Sequence, residues 1–210
     1  MSKFYLSLHR ETIQADKALE MPALFGALWR VRGTPKVEDT PCQTPGSAQF
    51  LRASRKVRAI GGPASWLRFS LSKTAPEPDG LLHVEQVEIA PEQVLLRLDT
   101  VTFPPGANAW RHVHPGPGIR YLLQGELELQ ADDHRATMRT GDCWFEAADS
   151  PVKATASDTH GKSGFVRFMV LPVALQGQPS IRILDAADAA KPRMQVTHRH
   201  IDQVVRLPQG

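Results

Sequence analysis

The sequence predicts an all-β protein, an antiparallel sandwich or barrel, and three observations carry that prediction. Short strand-like runs recur from Gln49 onward: SWLRFSLS, LLHVEQVEI, EQVLLRLDTVTF, IRYLLQGELEL, DCWFEA, PVKATAS, GFVRFMVLP, SIRIL and HIDQVVRL. Turn-forming stretches such as PEPDG, FPPGAN, HPGPG and VALQGQPS separate them, within a chain of 210 residues that holds 17 prolines and 15 glycines. Several runs alternate with period two, most clearly Gly125-Glu126-Leu127-Glu128-Leu129, which puts the two leucines on one face and the two glutamates on the other.

The elements follow in order. Residues 1–48 form an N-terminal extension containing a short helix, expected around Ala15–Trp29 and broken by Pro22, followed by the proline- and threonine-rich stretch GTPKVEDTPCQTPGS. Residues 49–184 form the β-barrel. Residues 185–210 form a C-terminal extension, with a second helical turn expected over Ala186–Ala190, packing on the barrel or on a partner subunit. There is no repeat at the 20–50 residue periods of solenoids.

Composition narrows the function classes. Lys and Arg exceed Asp and Glu by 25 to 22, and the densest basic cluster, Arg52, Arg55, Lys56 and Arg58, has no interleaved aromatics, so no nucleic-acid surface is expected. Cys42 and Cys143 make no disulfide framework and read as two ordinary thiols. Charged side chains interrupt the N-terminal stretch MSKFYLSLHRETIQADKALEM, and no run reaches the roughly 18 apolar residues of a membrane span. These signs give the expectation of a soluble, cytoplasmic protein, a homodimer in view of its long terminal segments.

The chemistry concentrates in AWRHVHPGPGIRYLLQGELEL. In a strand, His112 and His114 point to one side about 6–7 Å apart, with Trp110 on the same side, and two imidazoles so placed can share a metal ion. Gly106 lies before the pair. After it come a Gly-Pro loop, a strand, Gly125, and then Gly141-Asp142 opening another strand.

That order of elements, over about Val94 to Pro172, resembles the cupin superfamily. The resemblance implies a double-stranded β-helix barrel, and a divalent metal held by histidines and a carboxylate. Carried over residue by residue, it matches His112 and His114, but Gly118 stands where the first motif has its glutamate, and Val152 where the second motif has its third histidine.

Other side chains are candidates to complete the site. Glu146, in DCWFEAAD, is the nearest carboxylate in sequence and is the candidate third ligand or general base. Arg120 shares a face with Gly118 and Leu122 and is expected to point inward, where a guanidinium needs an acid: either Glu146 or a ligand's carboxylate or phosphate. Arg167, sharing a face with Phe165 and Met169, raises the same question and with Arg120 and Trp110 is assigned to substrate binding. Arg97 and Asp99 read as a same-face pair on the solvent side. His160, His198, His200, His83 and His134 read as surface residues. Gly116 and Gly118, each next to a proline at 115 or 117, are expected to leave room beside His114.

Two functions follow. One is a cupin binding a divalent metal (Zn, Fe, Ni or Mn) through His112, His114 and Glu146, and acting on a small, acidic molecule. The other is a metal-free cupin that binds a small molecule as a sensor or binding protein. No phosphate-binding loop, dinucleotide fingerprint, zinc-protease or serine-hydrolase motif is present in the sequence.

Overall fold

The computed structural model describes residues 2–21, 24–38, 40, 41, 46–132 and 134–208, and among them strands dominate. The chain divides into two compact units, one extending to Pro91 and the other spanning Glu92–Pro208. This boundary differs from the one read from the sequence, which began the barrel at Gln49.

The first unit contains β1 (Ser2–Ile13), β2 (Ala18–Met21), β3 (Phe25–Arg32), β4 (Pro35–Val37), β5 (Thr40–Pro41), β6 (Ala48–Arg52), β7 (Arg55–Ala59), β8 (Ala64–Ser72) and β9 (Leu81–Ile89). They form a five-stranded sheet of order β6-β3-β8-β1-β9 and a four-stranded sheet of order β2-β7-β4-β5. Leu28, Leu51 and Trp66 of the first sheet pack with Met21, Val37 and Val57 of the second into one apolar cluster.

The helix expected around Ala15–Trp29 is not present: Ala18–Met21 and Phe25–Arg32 are strands. Residues Phe25–Arg30 are all buried and β3 lies between β6 and β8, so ladder hydrogen bonds on both sides outweigh local helix propensity. Pro22, expected to break that helix, and Cys42 lie outside the described residues.

The second unit contains β10 (Gln93–Phe103), β11 (Asn108–Val113), β12 (Gly118–Gln124), β13 (Glu126–Gln130), β14 (Arg135–Arg139), β15 (Cys143–Glu146), β16 (Val152–Ala156), β17 (Ser163–Leu171), β18 (Arg182–Ile183) and β19 (Val196–Arg206). The helical turn expected near Ala186 is α1 (Ala186–Ala189), capped by the Asp185 carboxylate accepting from the Ala187 N–H. The strands make two five-stranded sheets, β15-β12-β17-β10-β19 and β14-β13-β16-β11-β18. Val101, Phe103, Leu122, Trp144 and Phe165 of one sheet pack against Ala109, Leu127, Leu129 and Ala154 of the other. Leu127 and Leu129 are buried and Glu128 is exposed, the alternation read from the sequence.

The two units repeat one wiring. Adding nine to the strand numbers of the first unit turns β6-β3-β8-β1 into β15-β12-β17-β10, and β2-β7-β4-β5 into β11-β16-β13-β14, both of which are observed; β9 corresponds to β19, and β18 is extra. Side chains agree with this. Arg68 is the fifth residue of nine-residue β8 and Arg167 the fifth of nine-residue β17, each preceded by an aromatic and an aliphatic residue and followed by phenylalanine. The chain is thus an internal duplication at the level of a whole unit, at a much longer period than the 20–50 residues of a solenoid.

Candidate functional site

A cavity of about 240 Å³ in the second unit is lined by residues of both its sheets. One part of its wall is apolar: Val101, Phe103, Trp144, Val152, Ala154 and Phe165, with the Trp144 and Phe165 rings edge to face at 5.3 Å. The other part is ionic: Arg97, Arg120, Arg167, Arg193 and Arg199 line it with the carboxylates Asp99 and Glu146, and a third carboxylate, Asp202, pairs with Arg97 and Arg199.

Strand register assembles the ionic part. Asp99 on β10 lies opposite Arg167 on β17, and Arg167 lies opposite Arg120 on β12, which in turn pairs with Trp144 beside Glu146 on β15. The Arg167 fork donates to Asp99 through Nε (2.6 Å to Oδ1) and Nη2 (3.1 Å to Oδ2). Asp99 is only 1% exposed, so this pair is desolvated and charge-assisted. Arg120 makes an ion pair with Glu146 (2.6 Å) and donates from Nη1 to the Gly118 carbonyl (2.6 Å). Burial lowers the Arg120 guanidinium to about 10, against the opposing pull of Glu146, so it stays charged at neutral pH.

The histidines are fixed by their neighbours. His112 Nδ1 lies 2.7 Å from the Trp110 carbonyl, which makes Nδ1 the protonated nitrogen and leaves the Nε2 lone pair uncommitted among the described residues. His114 Nδ1 likewise donates to the Ser180 carbonyl (3.0 Å), and its Nε2 accepts from Arg167 Nη1 (3.0 Å). Burial lowers both imidazoles, and for His114, held well below the ordinary range, Arg167 and Arg120 add to burial. Both rings are neutral at pH 7, with centroids 5.0 Å apart.

These residues do not fit a cupin-type metal. The two imidazoles carry the right tautomer, but the lone pair of His114 is filled by Arg167 and the carboxylate of Glu146 by Arg120. Val152, in the third-histidine position, stands directly across from His112 in the β11–β16 pairing and adds a methyl-lined wall. A Cβ at Gly118 would lie 2.7 Å from Met169 Cγ, 2.8 Å from the Phe168 carbonyl oxygen and 3.2 Å from Arg120 Nη1. The space a glutamate at this position would need is taken by the Met169 side chain and the Phe168 carbonyl, with Arg120 next to them. Among the described residues, no cluster of three or more His, Cys, Asp or Glu side chains is arranged to hold a metal ion.

Other expectations change. Trp110 is not in the cavity wall: it lies under Lys191, whose Nζ is 4.3 Å from the ring centroid, and its Nε1 donates to the Pro192 carbonyl. The register of β11 against β16 shifts between Ala109 and His112, which breaks simple alternation, so Ala109 and His112 face the cavity and Trp110 does not. Gly116 and Gly118 leave no room beside His114: a Cβ at Gly116 would lie 1.9 Å from the Val170 carbonyl oxygen, because the loop runs tight against β17. Arg97 and Asp99 are buried and line the cavity rather than facing solvent, and each has its own partner, Arg97 pairing with Asp202 at 2.7 Å.

Glu146, Arg120, Arg167, His112 and His114 all line the cavity. Sequence reasoning missed Asp99, Arg193, Arg199 and Gln195, the last with a buried side-chain oxygen that has no partner among the described residues. His160, near Ser157, and His83, beside Glu85, lie outside the cavity wall, as do His198 and His200.

Residues 99–157, which hold the strands of this cavity from β10 to β16, match the family model described as the cupin domain. Over these residues the chain is similar to the cupin domain, and solved structures agree in fold. AerE from Microcystis aeruginosa is 14% identical with a TM-score of 0.59, covering 79% of this chain and 88% of its own. A salicylate 1,2-dioxygenase from Pseudaminobacter salicylatoxidans is 11% identical with a TM-score of 0.56, covering 84% of this chain and 74% of its own. A cupin 2 conserved barrel domain protein from Leptotrichia buccalis is 16% identical with a TM-score of 0.50, covering 81% and 85%. Among curated proteins, none matches the chain significantly.

Proposed function

We propose that the second unit closes into a cupin barrel whose cavity binds a small carboxylate with an apolar body, without a resident metal. The observation that carries this reading is the cavity wall itself: five arginines, with three carboxylates (Asp99, Glu146 and Asp202) as partners, beside an aromatic and aliphatic patch. Arg120 and Arg167 are clamped by their acids into fixed positions, so their remaining N–H donors are pre-organised for a carboxylate. Arg193 and Arg199 are solvent-exposed residues of the wall and add positive charge, Arg199 lying 3.8 Å from the Asp202 carboxylate. His112 Nε2 offers an acceptor to a hydroxyl on the ligand, and Gln195 a second. At about 240 Å³ the cavity suits a molecule of the size of benzoate or a short-chain acid.

Calorimetric titration of the full chain with benzoate, hexanoate and their primary amides tests this. Binding of an acid, weakening with salt and absent for the matching amide, supports the reading; equal binding of acid and amide, or of neither, overturns it.

A second reading keeps a divalent metal (Zn, Fe, Ni or Mn) on His112 and His114 with Glu146. The shared Nδ1–H tautomer of both imidazoles favours it, since it directs each Nε2 lone pair away from the backbone. It requires Arg167 to leave His114 and Arg120 to release Glu146.

A further inference from the structure

The first unit repeats the wiring of the second, but the inner face of its main sheet has a different chemistry. Trp66, Arg68, Ser70 and Ser72 alternate onto one face of β8, and the inward position of Trp66 is fixed by its place in the apolar cluster. Cross-strand pairing puts His9 opposite Arg68 and Ser7 opposite Ser70 on β1. In the second unit the places of Ser70 and Ser72 are taken by Met169 and Leu171, which form an apolar cluster with Leu95. An apolar patch of one unit is a hydroxyl patch in the other.

Buried polar surface of this kind is costly unless its groups are bonded. Arg68 is satisfied: Nε and Nη2 donate to Glu11 Oε1 at 3.0 and 2.7 Å, and Nη1 to Ser70 Oγ at 3.2 Å. Among the described residues, the hydroxyl of Ser7, 1% exposed, has no partner, and neither has Nδ1 of the fully buried His9. Above this floor lies a cavity of about 350 Å³ lined by Ser7, Ser54, Arg68, Ser70, Ser72 and Thr74, together with Lys73, Glu77 and a few apolar atoms. Its charges nearly cancel, Arg68 being neutralised by Glu11 and Lys73 matched by Glu77, so no net charge selects an ion.

From the cavity, its unpartnered buried hydroxyl and its serine- and threonine-rich wall, we propose that the first unit holds a second ligand site, specific for a small uncharged polyhydroxylated molecule of monosaccharide size. Ser7 and Ser70 would bond ligand hydroxyls, and Arg68, held by Glu11, would add a fixed donor.

The test is titration of the full chain with glucose, galactose, ribose and glycerol, followed by calorimetry, with inorganic phosphate as the anionic comparison. The inference predicts saturable binding of at least one of the four and none of phosphate. The double variant Ser70→Met/Ser72→Leu, which installs the residues of the second unit, abolishes that binding. Ser7→Ala, which deletes a single hydroxyl, weakens it by roughly fivefold, the weight of one hydrogen bond, and decides the matter if the double variant fails to fold. Failure of all four compounds to bind the wild type, preference for phosphate, or sugar binding unchanged in Ser7→Ala would each overturn it. Arg193→Ala, in the other unit, leaves sugar binding unchanged.

Discussion

Arg68 and Arg167 occupy the same place in two copies of one unit, yet they serve different surroundings. Arg167 spans a carboxylate that is 1% exposed and an imidazole, in a wall with four more arginines. Arg68 binds a partner, Glu11, whose side chain is 11% exposed, and its neighbours along the strand are serines. The shared arginine is a strut that ties the central strand of each main sheet to the next. The residues two and four places further along the strand differ in chemistry, Ser70 and Ser72 in the first unit and Met169 and Leu171 in the second.

The largest effect expected from breaking this comparison is at Arg167. Arg167→Met strands Asp99 as an unpaired buried carboxylate and should lower unfolding stability by about 3–5 kcal/mol, read from the urea midpoint. Arg68→Met should cost less, because Glu11 can reach water. An equal or greater loss at Arg68 would show that the two struts are not graded by burial.

Next in size is Gly116→Ala, which drives a methyl against the Val170 carbonyl oxygen and should destabilise by about 1–3 kcal/mol or more. A neutral result would mean that the loop before β12 can move off β17, and would reopen the space beside His114.

Acid should then separate the histidines from the rest. His112 and His114 have folded-state values below the ordinary 6.5, so below pH 6.5 the unfolded chain binds more protons than the folded one, and stability falls as pH falls. Thermal melts between pH 7.5 and 5.5 should show this decline, and His114→Gln should flatten it.

The smallest effect is expected for Arg193→Ala and Arg199→Ala. Each should weaken carboxylate binding a few-fold at low salt and leave stability within about 0.5 kcal/mol, as for exposed charges generally.

Much of the second unit was legible in the sequence. Alternation located the strand Glu126–Gln130, and parity turned Arg120 inward toward Glu146, because both follow from local geometry. The partner of Arg167 was not legible: Asp99 lies 68 residues away, and only the β10–β17 register brings them together. Trp110 was misplaced because a bulge resets parity without changing the residue pattern. The duplication hid for a different reason. Its trace, WLRF at 66–69 against FVRF at 165–168, is four residues long, while the inward positions that follow differ, serine in one copy and methionine or leucine in the other.

The central claim is that arginines, and not a metal, make the ligand site of the second unit. Its most direct test is calorimetric titration of chelator-treated full-length protein with benzoate, repeated after adding Zn, Fe, Ni or Mn. The account predicts the same saturable one-to-one binding with and without added ion, and sub-stoichiometric metal in the protein before treatment. Binding that appears only when an ion is restored, with one equivalent of that ion lost in His112→Ala/His114→Ala, would contradict it.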